Sequence, residues 1–205
     1  MNEKQKKNIF SKLSYNAPVI LTFTIIAVIV QFISSLPGTG LFHNIFVARP
    51  RSIANPFLYI GMITHAIGHS GWAHLIGNFT YILLVGPMLE EKYGSKRLLF
   101  MMLVTSFVTG LINILFFHSA VCGASGIVFM FIILASCTNA GAKEGKLPIT
   151  LILAAVFYLG QEVLSSLRPD NISQLSHIIG GLFGAFFGLY FAKTLKKNDT
   201  SDMSF

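Results

Sequence analysis

Six apolar runs, each long enough or nearly long enough to cross the hydrocarbon core of a bilayer, punctuate this sequence. They fall at roughly 17–33, 72–89, 98–117, 125–139, 147–164 and 175–192. Lipid offers no water to an unpaired amide or carbonyl, so each run must satisfy its own backbone as a helix. The expected fold is all-α: a polytopic membrane protein with six transmembrane helices. Charge supports this. Only 11% of the residues are charged against 53% hydrophobic, where a soluble domain carries about 25% charged. The formal net charge of +7 raises nucleic acid as a partner. The basic residues sit in short clusters between apolar runs, which fits topology signals and a lipid bilayer, not nucleic acid. The first run is long and lacks a small-residue cleavage site, so it reads as an uncleaved span. Cys122 and Cys137 form neither a disulfide framework nor a paired-thiol metal motif. The organisation expected is a basic N-terminal segment (1–16), one six-span domain (17–194) and a polar tail (195–205).

Basic residues also orient the chain. Lys4, Lys6, Lys7, Lys12, Lys92, Lys96, Arg97, Lys143, Lys146, Lys193, Lys196 and Lys197 flank one set of span ends. Arg49, Arg51 and Arg168 flank the other. The excess places both termini in the cytoplasm, with the cell membrane as the default location. The outer connection between spans one and two, about 34–71, contains Pro37-Gly38, Pro50 and Pro56 and is too long for a turn. Long ordered connections are often functional.

Polar residues at membrane depth are functional hypotheses, because burying them is costly. The spans carry His74 and Asn78 in the second, Ser125 at the start of the fourth and His177 in the sixth. At 1.5 Å per residue they lie about 24, 18, 21 and 24 Å above the cytoplasmic ends of their spans. That is one shared level, roughly 6–12 Å below the outer edge of a core about 30 Å thick. His74 and Asn78 are i, i+4 and face the same way. Gly180, Gly184 and Gly188 recur every fourth residue after His177, a spacing that lets two membrane helices approach closely. Gly123-Ala124-Ser125-Gly126 opens the fourth span, and amides at a helix start point outward unpaired.

These residue types fit acyl transfer. A serine hydroxyl becomes a nucleophile when a base takes its proton, and His177 is the candidate base. The amides near Ser125, Ala124 among them, with His74 and Asn78 as side-chain donors, are candidates to stabilise an oxyanion. Plainer readings stand beside these. A serine in a span usually packs or bonds to its own helix, and a glycine ladder is often simple packing. Glu90, Glu91 and Lys92 read as an interfacial cap, and His118 as an exposed loop residue. His65, His69 and His74 lack the Glu of a zinc H-E-x-x-H motif, so no metal is expected. A small transporter or channel would instead call for broken helices and ion ligands at the midplane.

Three blocks of the sequence resemble the rhomboid intramembrane serine proteases. Thr64-His65-Ala66-Ile67-Gly68-His69 with His74-Leu75-Ile76-Gly77-Asn78 is similar to the family's second-span motif. Gly123-Ala124-Ser125-Gly126 is similar to its nucleophile motif, and His177 with Gly180 and Gly184 to its last-span motif. Gly86, Glu90 and Gly94 match a further pattern. The resemblance implies a Ser125–His177 dyad, His74 and Asn78 as oxyanion partners, and supporting roles for His69, Gly123, Gly126, Gly180 and Gly184. It implies transmembrane proteins as substrates, no cofactor, and an outer loop lying partly in the membrane; it leaves the oligomeric state open. Two positions depart from the pattern: Ile60-Gly61 stands where many members have Trp-Arg, and Phe129 where many have tyrosine. A non-cleaving relative that binds membrane clients is the alternative; such relatives typically lack the serine or the histidine, and both are present here.

Overall fold

The computed structural model describes residues 14–117, 120–140, 149, 153, 156–157 and 178–191. The segment before residue 14, His118, nearly all of the expected fifth span, the 160–177 stretch with His177, and the C-terminal tail lie outside the described residues. Among the described residues the regular structure is helical: α1 (Pro18–Ser34), α2 (Gly40–His43), a 3-10 turn (Asn44–Phe46), α3 (Pro56–Thr64), α4 (Trp72–Tyr93), α5 (Ser95–Phe116) and α6 (Ser125–Ala140). A further apolar helix, α7, covers Ile178–Phe191. The extended backbone seen is one isolated bridge between Ala48 and Val121.

The helices α4 and α5 have the length and hydropathy of membrane-crossing helices. Twenty-two residues each give about 33 Å of rise, enough for a core of about 30 Å. The helices α1, α7 and the first part of α6 are shorter apolar helices. At the core lies α6, where Ile127 through Ile132, Leu134 and Ala135 are all buried. A helix apolar all round is buried by its neighbours. The outer helices turn apolar side chains outward, among them Ile25, Ile29 and Phe32 of α1, Leu84 and Met88 of α4, Phe100 of α5, and Leu182 and Leu189 of α7.

A single residue, Gly94, joins α4 to α5. Its φ of 79° is a left-handed conformation that glycine adopts without steric cost. Pro18 opens α1 at a position where its missing N–H is no loss. The other amides of that first turn are met from α4: Glu90 accepts Val19 N–H at 2.9 Å and Ile20 N–H at 3.0 Å. Ser95 Oγ donates to the same carboxylate at 2.7 Å. Glu90 is therefore not the interfacial residue its neighbours Glu91 and Lys92 suggested. It is buried, because the positive end of α1 sits over it.

The long connection before α4 is ordered by close backbone approaches. A Cβ at Gly61 would overlap the Val47 carbonyl, one at Gly68 the Phe46 carbonyl, and one at Gly110 of α5 the backbone of Met62. Ala48 and Val121 exchange two backbone bonds of 3.0 and 2.9 Å. Asn113 Nδ2 of α5 donates to the Ala48 carbonyl at 3.2 Å. Asn55 caps α3 by accepting Phe57 N–H at 3.0 Å. The Ile60-Gly61 pair thus seats the loop through Gly61, by steric absence instead of a side chain.

Candidate active site

The site forms where the 65–71 turn, the first turns of α4 and the 121–126 segment meet. Gly123 is the centre. Its φ is 128°, its N–H donates to the His65 carbonyl at 2.9 Å, and its Cα lies against His74. A Cβ there would fall 2.7 Å from Cε1 and 2.8 Å from Nε2 of that ring, and 3.7 Å from Nδ2 of Asn78. Two side chains from one face of α4 therefore reach the residue two before Ser125. Asn78 is buried and donates from Nδ2 to the His74 carbonyl at 3.2 Å. His74 Nδ1 pairs with Ser70 Oγ at 3.0 Å, which leaves Nε2 as the ring nitrogen facing Gly123.

His69 holds the next residue. Its Nδ1 lies 3.0 Å from the Ile67 carbonyl, so that nitrogen carries the proton. Its Nε2 accepts Ala124 N–H at 3.4 Å, so that nitrogen carries none. The two partners together fix a neutral ring of one tautomer. Burial, and then the neighbouring His74, push the His69 pKa down to about 3. His69 packs edge-on to both His74 and Phe79, with ring centroids 5.0 and 5.7 Å apart. Burial lowers the His65 pKa to about 4 against the opposing effect of its bond to the Gly61 carbonyl. The three ring systems thus turn to separate partners, and among the described residues no group of three His, Cys, Asp or Glu converges to hold a metal ion.

Ser125 is the first residue of α6 and is half-buried. The first helical bond of this turn runs from Val128 N–H to the Ala124 carbonyl at 3.0 Å. The amides of Ser125 and Gly126 have no partner within the helix, and the helix dipole adds partial positive charge there. Cys122 is another nucleophilic side chain nearby. Burial pushes its thiol up to about 11, so it holds its proton at neutral pH and is a poor nucleophile.

Behind this segment α7 touches α6. A Cβ at Gly180 would overlap the Gly126 carbonyl, and one at Gly184 would crowd Met130 and Ile133. The structure therefore brings together His69, His74, Asn78, Gly123, Ala124, Ser125 and Gly126, and it seats Gly180 and Gly184 on α6. His177 lies outside the described residues. Phe129 is buried in the core. Three residues not singled out in the sequence also border the site. Thr105, Ser106 and Thr109 of α5 line a small niche with His65, Ala66, Gly123, Gly126 and Ile127. The Thr105 and Thr109 hydroxyls are buried there without a hydrogen-bond partner among the described residues. Their signal was present as hydroxyls one turn apart in an apolar run.

The family described as the Rhomboid domain matches residues 57–194. This chain belongs to the rhomboid family. Among similar proteins, the rhomboid protease GlpG of Haemophilus influenzae is 26% identical over 142 residues, covering 66% of this chain and 71% of that protein. The rhomboid protease GlpG of Yersinia enterocolitica is 24% identical over 178 residues, covering 85% and 64%. The putative rhomboid protease YdcA of Bacillus subtilis is 30% identical over 138 residues, covering 61% and 63%. The chain thus spans less than two-thirds of the latter two. The rhomboid assignment and the apolar helices together make this an integral membrane protein.

Proposed function

We propose that this rhomboid-family protein is an intramembrane serine endopeptidase that hydrolyses peptide bonds in or near transmembrane segments of other membrane proteins. The observation that carries the reading is the convergence of His74 and Asn78 on Gly123, two residues before a serine that opens a helix. In the proposed reaction Ser125 Oγ attacks the substrate carbonyl carbon. His177 accepts the hydroxyl proton and passes it to the departing amine as the C–N bond breaks. Water then attacks the acyl-enzyme, with the same histidine as base, and frees Ser125. His74, Asn78 and the amides of Ser125 and Gly126 are assigned to the oxyanion; the Ala124 amide, expected among them, is instead turned to His69 Nε2. Gly180 supports the role of His177, since it follows that residue by three positions and packs on Gly126. The niche lined by Thr105, Ser106 and Thr109 offers polar groups beside the same segment, suited to holding water near the acyl-enzyme. No cofactor is required.

The finer topology belongs to the same proposal: six spans within residues 17–194, both termini cytoplasmic, in the cell membrane. Substrates enter sideways from lipid, and water reaches Ser125 from the outer side. The names borne by the similar proteins support the reaction class.

Covalent labelling of the membrane-embedded protein by a fluorophosphonate tests the dyad. Wild type is expected to label, and Ser125→Ala and His177→Ala each to lose labelling and cleavage of a transmembrane substrate. The double variant should be no worse than either single, because nucleophile and base act as a unit. Near wild-type turnover by either folded single variant would rule the dyad out. An unlabelled wild type that still binds membrane proteins would favour the non-cleaving alternative.

A further inference from the structure

Two arginines in the connection before α3 take no part in this chemistry. The two flank Pro50 just after the Ala48–Val121 bridge, and Pro50 fixes its own φ and offers no N–H. Their guanidinium groups come together on one residue. Both meet Asn44. Arg49 Nη2 donates to its Oδ1 at 2.8 Å. Arg51 Nη2 donates to its backbone carbonyl at 3.0 Å and reaches the same Oδ1 at 3.5 Å. The Arg51 guanidinium also lies over the Phe57 ring, 5.7 Å from its centroid, and its Nε is buried with no hydrogen-bond partner among the described residues.

Two guanidinium groups that share one amide oxygen repel each other. Burial, and then Arg49, hold the Arg51 pKa below its ordinary value. Among the described residues no acid lies nearby to compensate: Glu90 and Glu91 are about 27 Å along α4 from its first residue. Each guanidinium carries five N–H donors in a planar fork, and Arg49 spends one nitrogen on Asn44. Such forks match the oxygens of a phosphate. The neighbouring surface is apolar and exposed, with Ile53 at 81%, Tyr59 at 55%, Ile60 at 42% and Ile63 at 40%. That combination of cationic pair and apolar apron suits the boundary between headgroups and acyl chains.

We propose that Arg49, Arg51 and Asn44 form a phosphate-binding clasp that takes the headgroup phosphate of a phospholipid. Asn44 holds the two guanidinium groups in place, and the anion relieves their repulsion. The site would pin the connection that carries His65 and His69, and it stands whether or not Ser125 cleaves peptides.

The test titrates the full chain in mild detergent with phosphatidylglycerol, phosphatidylcholine or inorganic phosphate and reads adducts by native mass spectrometry. Phosphatidylglycerol is expected to bind more tightly than phosphatidylcholine, whose choline offsets the phosphate charge. R49Q, which removes an exposed side chain, is expected to weaken that adduct about five-fold, and R49Q/R51Q about twenty-five-fold. K96A, at the far end of the molecule, should leave it unchanged. Displacement of the lipid by inorganic phosphate would keep the clasp and identify the phosphate group alone as the ligand. Equal lipid binding by wild type and R49Q, or by wild type and R49Q/R51Q, overturns the proposal.

Discussion

The imidazole of His74 rests directly on the Cα of Gly123, at a distance that excludes any side chain there. The φ of Gly123, 128°, adds a backbone conformation that alanine adopts only under strain. Gly123→Ala must therefore displace His74, twist the segment, or both. On the proposed chemistry this removes an oxyanion donor from its place. Turnover of a transmembrane substrate in proteoliposomes is expected to fall by about 10²–10³, mostly in kcat. A folded Gly123→Ala protein with wild-type kcat would show that this contact does not serve the reaction.

Glu90 ties two distant parts of the chain, because its carboxylate receives both free amides at the start of α1. Glu90→Ala leaves those amides and Ser95 Oγ without this acceptor in a buried setting. A hydrogen bond to a charged group is worth about 1.5–3 kcal/mol; water can replace the carboxylate at the part-buried Val19 N–H and Ser95 Oγ, so a loss of one such bond or a little more, roughly 2–4 kcal/mol, is expected. Thermal unfolding in detergent checks it. Glu90→Gln should fall between wild type and alanine, since the amide keeps an acceptor oxygen but not the charge that favours a helix N-terminus. An unchanged midpoint for Glu90→Ala would mean that α1 is held by apolar packing alone.

Much of the arrangement was legible from periodicity and spacing. Five of the six apolar runs coincide with helices α1, α4, α5, α6 and α7, and the fifth falls almost wholly outside the described residues. The meeting of His74, Asn78 and the Gly123–Ser125 segment followed from i, i+4 spacing and rise per residue, both local quantities. What escaped the sequence is long-range. Gly61, Gly68 and Gly110 matter because other backbones press on them, and nothing in their own neighbourhoods says so. Glu90 looked interfacial beside Glu91 and Lys92 because its partners lie about seventy residues earlier in the chain. His65 contributes through its carbonyl to Gly123, a role that no residue type announces.

The buried histidines set a pH dependence of stability. In the folded protein His65 and His69 keep pKa values of about 4 and 3, whereas an unfolded histidine titrates near 6.5. Between these values the unfolded chain binds protons that the folded chain refuses. Stability is therefore expected to fall as pH drops from 6.5 toward 5, and these two residues add no slope above about pH 7.5. Each contributes on the order of 1 kcal/mol per pH unit within that window. Melting curves from pH 8 to 5 measure it. His69→Gln should melt lower at pH 8, having lost its fit between Ile67 and Ala124, yet decline less steeply with acid. Parallel declines for wild type and His69→Gln would contradict the assignment of a neutral buried ring.

The two glycines of α7 offer a comparison that separates catalysis from packing. Gly180 and Gly184 lie one helical turn apart, and each faces backbone or β-carbon atoms of α6 so closely that an added methyl must push the helices apart. Overpacking of this kind costs about 1–3 kcal/mol, so Gly180→Ala and Gly184→Ala should lower the melting temperature by similar amounts. Their effects on chemistry should differ. Gly180 meets Gly126, the residue after Ser125, whereas Gly184 meets Met130 and Ile133 further along the helix. If His177 is the base, the separation of α7 from α6 at Gly180 sets the proton-transfer distance directly, and a displacement of about 1 Å can cost on the order of 10²-fold in rate. Fluorophosphonate labelling of Gly180→Ala is therefore expected to slow by about 10² or more, against less than about ten-fold for Gly184→Ala. Equal losses in labelling, matched to equal losses in stability, would reduce the glycine ladder to packing and leave the assignment of His177 as the base without support.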